Sequence, residues 1–153
     1  MESFLPFYVN KRIMVKTNIL KARIKRNNLE KNAGKFFVDE NSEIVKLLKK
    51  ENKEALLGIY REDGIYTILG KKFVYFSTLS GDKDQIELKD FSNILQNNAM
   101  KKGKLFASYK YLKLDDQKKI WLYNKATMNS LWNTILLLEK VMLQTGMESG
   151  NGG

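Results

Sequence analysis

Cysteine and histidine are both missing from the 153 residues of this chain. The first absence excludes disulfides and thiolate chemistry and fits a cytoplasmic protein. The second removes the commonest general base and the commonest metal ligand. A zinc site would then need carboxylates alone, an unusual donor set. Arginine is scarce too: Arg12, Arg23, Arg26 and Arg61 are the only exceptions among 27 basic residues. No uncharged apolar run approaches the roughly eighteen residues of a membrane span. The opening MESFLPFYVNKR begins with an acid and lacks a basic start followed by a long apolar region. No cleaved signal peptide is expected.

What remains is enough for a real core. Hydrophobic residues make up 43% of the chain and aromatics 11%, in a length that suits one domain with an appendage. The net charge of +10 invites a nucleic-acid or anionic-membrane reading. A lysine-rich chain full of Asn, Ile, Phe and Tyr is also what AT-rich coding sequence produces, and arginine is the better residue for bidentate phosphate recognition. The charge is concentrated at the start. Residues 1–35 hold nine basic residues against Glu2 and Glu30. Their period is ambiguous: Ile13, Thr17, Leu20 and Ile24 suit a helix face, whereas Ile13-Val15-Thr17 and Leu20-Ala22-Ile24 alternate as a hairpin would.

The organising stretch is TMNSLWNTILLLEKVMLQT, Thr127 to Thr145. Leu131, Trp132, Ile135, Leu138 and Met142 recur at helical spacing, and neighbouring leucines widen the apolar face. Thr127 is the expected N-cap and Gly146 the expected stop. A helix of about 28 Å with so little polar surface needs a sheet to cover it.

The sheet is expected before it. Asn41-Ser42 caps a short helix with Ile44, Leu47 and Leu48 inward. Strands then follow at Ala55–Arg61, Ile65–Leu69 and Phe73–Thr78, turning at Glu62-Asp63-Gly64 and Gly70-Lys71-Lys72. Gln85–Leu88 alternates after the turn Ser80-Gly81-Asp82, residues 97–103 read as a polar loop, and Leu105–Leu114 pairs with Lys118–Tyr123. The expected fold class is α+β: a strongly bent antiparallel sheet or split barrel of about seven strands, plugged by the C-terminal helix. Trp121 and Tyr75 are the sheet-side partners expected for the plug. The expected division is a basic segment at 1–40, a domain at 41–146 and a flexible tail at 147–153.

Tyr66-Thr67-Ile68-Leu69-Gly70-Lys71-Lys72-Phe73-Val74-Tyr75-Phe76, followed by Ile86-Glu87-Leu88-Lys89-Asp90-Phe91, resembles the strand pattern of bacterial pleckstrin-homology-like and GRAM-like domains. The resemblance covers about residues 43–145. It implies a non-enzymatic, intracellular protein-interaction domain, such as an immunity or regulatory protein holding one cognate protein partner. Excess apolar surface on the helix adds a homo-oligomer as a further use. Phosphoinositide-binding members carry several basic residues around the first hairpin. Here Glu62-Asp63-Gly64 stands there with Arg61 as the nearby cation, which argues against a phosphoinositide.

The alternative function is electrostatic binding of nucleic acid or anionic lipid, led by Lys21, Arg23, Lys25 and Arg26. Lys71-Lys72, Lys101-Lys102-Lys104 and Lys118-Lys119 would join them as one positive rim if the hairpins project to the same end, with Tyr109 and Tyr111 as stacking surfaces. No catalytic residue, metal or cofactor is expected. Asp115-Asp116, and Asp82 and Asp84, read as turn formers. Gly70-Lys71-Lys72 lacks the flanking residues of a phosphate-binding loop.

Overall fold

The computed structural model describes residues 28–78, 80–106, 109–115 and 117–150, without the side chains of 99–106 and 141–150. The chain is α+β. Helix α1 (Leu29–Ala33) runs through a 3-10 turn (Gly34–Phe36) into β1 (Phe37–Val38), then α2 (Glu43–Lys50). Strands β2 (Ala55–Tyr60), β3 (Tyr66–Gly70), β4 (Phe73–Ser77) and β5 (Lys83–Glu87) follow, then α3 (Leu88–Phe106). A hairpin of β6 (Tyr111–Lys113) and β7 (Lys119–Trp121) leads into α4 (Lys125–Gly150).

Strands β1 to β5 form one antiparallel meander in sequence order, and β6–β7 form a separate two-stranded sheet. The seven strands thus divide five and two, and the five-stranded sheet is not closed, where one strongly bent sheet or split barrel of about seven strands was expected. The reason lies between β5 and β6. Leu88, Phe91 and Leu95 are buried at helical spacing, so the segment leaves the ladder as a helix. That helix runs on through residues 97–103, expected as a loop, since lysine is a good helix former and asparagine only a mildly poor one.

Period-2 alternation sends the strands' side chains to opposite faces. Leu57, Ile59, Leu69, Val74 and Phe76 enter one core with Leu29, Phe91, Leu95, Trp121, Leu131, Ile135 and Leu138. Ala55, Tyr66, Ile68 and Tyr75 enter a second with Val45 and Leu48 of α2. Both faces of the sheet are thus covered, by α2 on one side and by α1, α3, α4 and the hairpin on the other. Tyr75, expected beneath the C-terminal helix, lies on the α2 side; Trp121 lies on the α4 side. Close strand approach sets one position: a Cβ on Gly58 would sit 2.2 Å from the Thr67 carbonyl oxygen. Gly64 takes the expected positive φ of +94° in the β2–β3 turn.

Leu29 and Ala33 are buried in the larger core, and β1 pairs with β2 through Phe37↔Ile59. Residues 29–38, assigned from sequence to a separate basic segment, therefore pack with the body. The hairpin-or-helix question for 1–27 lies outside the described residues. Helix α4 begins three residues earlier than expected. Asn124, not Thr127, is its cap: Asn124 Oδ1 accepts the Thr127 N–H at 2.8 Å. Thr127 Oγ1 instead donates to the Asn32 carbonyl at 3.2 Å, tying α4 to α1. The helix continues past Gly146 to Gly150, since one glycine costs only about 1 kcal/mol inside a helix. The start of the expected tail is therefore helical.

Candidate functional site

At one end of the sheet, two short segments carry exposed lysines to the same place. Helix α2 turns Val45 and Leu48 into the core, leaving Lys46, Leu47, Lys49 and Lys50 outward. Its C-terminal end is held by Lys53 N–H donating to the Leu48 carbonyl at 3.0 Å and Asn52 N–H to that of Lys49 at 3.1 Å. The loop then meets the β3–β4 turn, where Lys71 N–H donates to the Glu54 carbonyl at 3.1 Å. Lys71 and Lys72 are exposed there. Glu51 and Glu54 are the acids of the same loop, and Glu51 is paired with Lys53 at 3.2 Å. Positive charge at the C-terminal end of α2 also suits the helix dipole.

The opposite end of the sheet is locked. The Arg61 guanidinium forks onto the Asp63 carboxylate, reaches Tyr111 Oη at 3.4 Å and stacks over the Trp121 ring with 5.3 Å to its centroid. The Arg61 bond holds the Asp63 carboxyl below its ordinary value, and Asp63 with Tyr111 raises Arg61 further. Thr67 Oγ1, fully buried, donates to the Trp121 carbonyl at 2.6 Å. Lys118 pairs with Asp84 at 3.1 Å. The backbone N–H of Gln85, then Lys118, hold the Asp84 carboxyl low; the N–H groups of Gln117 and Lys118 do the same for Asp115.

The sequence-predicted residues are therefore divided. Lys21, Arg23, Lys25 and Arg26 lie outside the described residues. Lys71 and Lys72 stand beside Glu87, whereas Lys118 contacts Asp84 near the Ser77 end of the same strand pair. Those two clusters sit at opposite ends of β4 and β5 and do not share a rim. Lys101, Lys102 and Lys104 fall in the last turns of α3, their side chains outside the description. Tyr111 is engaged by Arg61, and Tyr109 lies under Lys125 with 5.2 Å to the ring centroid.

Of the plug residues, Leu131, Ile135 and Leu138 are buried. Trp132 is only partly buried, packed on the core with its Nε1 donating to Ser92 Oγ at 3.0 Å. The Met142 side chain is outside the description. Sequence reasoning did not join α2 to the lysines of the β3–β4 turn. The signal available was Lys46, Leu47 and Lys50 sharing one helix face at i, i+1 and i+4; the meeting with Lys71-Lys72 required the β2–β3 register.

Asp115 stays at its hairpin tip, accepting the Gln117 and Lys118 N–H groups at 2.8 and 2.7 Å. Among the described residues, no three acidic side chains converge as metal ligands, and no helix is long and apolar enough to cross a membrane. No protein-family model matches the chain, and no curated protein or solved structure matches it significantly.

Proposed function

We propose that the protein is a non-enzymatic interaction domain of pleckstrin-homology-like type, acting inside the cell as an immunity or regulatory protein that holds one cognate protein partner. The observation that carries this reading is Leu136, which is 47% exposed midway along α4. Its neighbours Leu131, Ile135 and Leu138 fill the core, so Leu136 is apolar surface left on the outer side of the helix, between the exposed Asn133 and Lys140. Leu137 beside it is half-buried. An apolar anchor on a rigid helix is the kind of feature around which a protein interface concentrates its energy. The order of elements supports the family likeness: a meander, a second small sheet and a long final helix.

The test starts with co-purification of the tagged chain from its native host, followed by reconstitution with the recovered protein made separately. A stoichiometric complex is expected, weakened at least about tenfold by Leu136→Asp and unchanged by Leu47→Asp. A strict monomer by light scattering that recovers the same background as Leu136→Asp sinks the reading. If the stoichiometric partner is a second copy of the chain, Leu136 serves a homodimer instead.

A further inference from the structure

The lysine-bearing end of the sheet has a composition of its own. Lys46, Leu47 and Lys50 lie on the outward face of α2, Lys49 beside them, and Lys71 and Lys72 on the turn bonded to the loop that follows α2. Leu47 is 49% exposed in the midst of these charges. Helix α2 already buries Val45 and Leu48 against the sheet, so Leu47 is apolar surface that the fold does not use.

We infer that this end docks on the surface of an anionic phospholipid membrane, its lysines over the headgroups and Leu47 entering the interfacial layer. Three features select that partner. Lysine is a flexible point charge without arginine's planar fork, which suits a fluid array of headgroups more than fixed phosphate geometry. A nucleic-acid surface would have use for open aromatic rings, and of the aromatics nearest this end Phe73 is half-buried against the second core and Tyr75 is 4% exposed. A protein interface depletes lysine from its core, yet here Lys46 and Lys50 flank Leu47, with the exposed Glu43 and Glu51 one turn to either side, and Lys49, Lys71 and Lys72 leave lysine in excess at this end. A basic helix face carrying a leucine is instead the arrangement of an interfacial membrane helix. The inference stands apart from the protein-partner reading, which uses Leu136 of α4.

The experiment is co-sedimentation of the full chain with vesicles of phosphatidylcholine containing about one-third phosphatidylserine, against pure phosphatidylcholine, at about 50 and about 150 mM salt. Binding is expected to the anionic vesicles alone and to weaken with salt. Lys50→Glu with Lys72→Glu should reduce affinity at least about 25-fold, from about fivefold for each lysine. The charge-matched pair Lys83→Glu with Lys119→Glu, at the far end of the sheet, should reduce it less than about threefold. Leu47→Gln, at constant charge, should reduce it about tenfold; this variant decides the matter if the double replacement does not fold. Equal losses from the two charge pairs, an unaffected Leu47→Gln, or no binding by the parent at the lower salt would each overturn the inference. Tighter binding to duplex DNA than to anionic vesicles, lost on Lys50→Glu with Lys72→Glu, would reassign the surface to nucleic acid.

Discussion

Replacing Thr67 by Val tests how the two sheets are joined. Thr67 points from the middle of β3 into the larger core with no exposed surface, and its hydroxyl donates to the Trp121 carbonyl at 2.6 Å. In the β6–β7 ladder the Leu122 N–H bonds to the Lys110 carbonyl, so the Trp121 carbonyl faces away from its own hairpin toward the large sheet. Valine keeps the volume and branching of threonine but cannot donate. The carbonyl is then left buried without a partner, which costs about 1–3 kcal/mol. For a chain of this size that corresponds to a fall in Tm of about 2–10 °C. Urea and thermal unfolding of parent, Thr67→Val and Thr67→Ser separate the causes. Serine retains the donor and loses one methyl group, so a Thr67→Ser variant that remains closer to the parent than Thr67→Val assigns the loss to the hydrogen bond. A Thr67→Val protein within about 0.3 kcal/mol of the parent would refute the idea that this bond fastens the hairpin to the sheet.

Other perturbations probe the remaining supports. Ile135→Ala, at a fully buried site, should cost about 2–5 kcal/mol by denaturant unfolding, whereas Trp132→Phe, which loses the bond to Ser92 and part of a half-buried ring, should cost about 1–2 kcal/mol. Gly58→Ala should be destabilising although its backbone is ordinary, because the added methyl group meets the Thr67 carbonyl and the Ile68 Cα; a melting temperature at or above the parent's would show that β2 and β3 can part without cost. Glu139 Oε1 is buried without a hydrogen-bond partner, so Glu139→Met should raise stability by about 1 kcal/mol in the same assay. In acid, Asp63, Asp84 and Asp115 act with one sign: each carboxyl is held low in the folded chain, so the unfolded chain binds protons first as pH falls. The stability they contribute is complete above the ordinary carboxylate value near pH 4 and is lost as pH falls through the folded values. Asp84→Asn should therefore be less stable than the parent at neutral pH, with the gap closing below about pH 4; a gap independent of pH would remove Asp84 from this account.

Local chemistry made much of the fold legible. FVYFST is strand-like whatever surrounds it, because branched and aromatic side chains suit a pleated surface. Glu62-Asp63-Gly64 turns the chain because glycine alone takes its φ without strain. Leu131, Ile135 and Leu138 were readable as core from their spacing. The basic end was legible only in pieces: Lys71-Lys72 as a turn, Lys49-Lys50 as a helix terminus.

Other features depended on partners distant in sequence. Residues 97–103 are polar enough for a loop, and their helical state follows from Leu88, Phe91 and Leu95 packing one turn after another upstream. Tyr75 and Trp121 are both large aromatics, and composition does not say which side of a sheet each occupies; strand register decides it, since a shift of one residue exchanges the faces. Thr127 is as good a cap as Asn124 in isolation, but the Asn32 carbonyl of α1 claims its hydroxyl.

Sequence alone determined that strands would meander in order and that an apolar helix would cover them, because turn residues and hydrophobic period act within a few neighbours. Tertiary structure decided that the sheet stays open, that both its faces are buried, and that lysines from α2 and the β3–β4 turn share one end. Those outcomes depend on pairing between distant segments, and a long-range register has no signature in any single stretch.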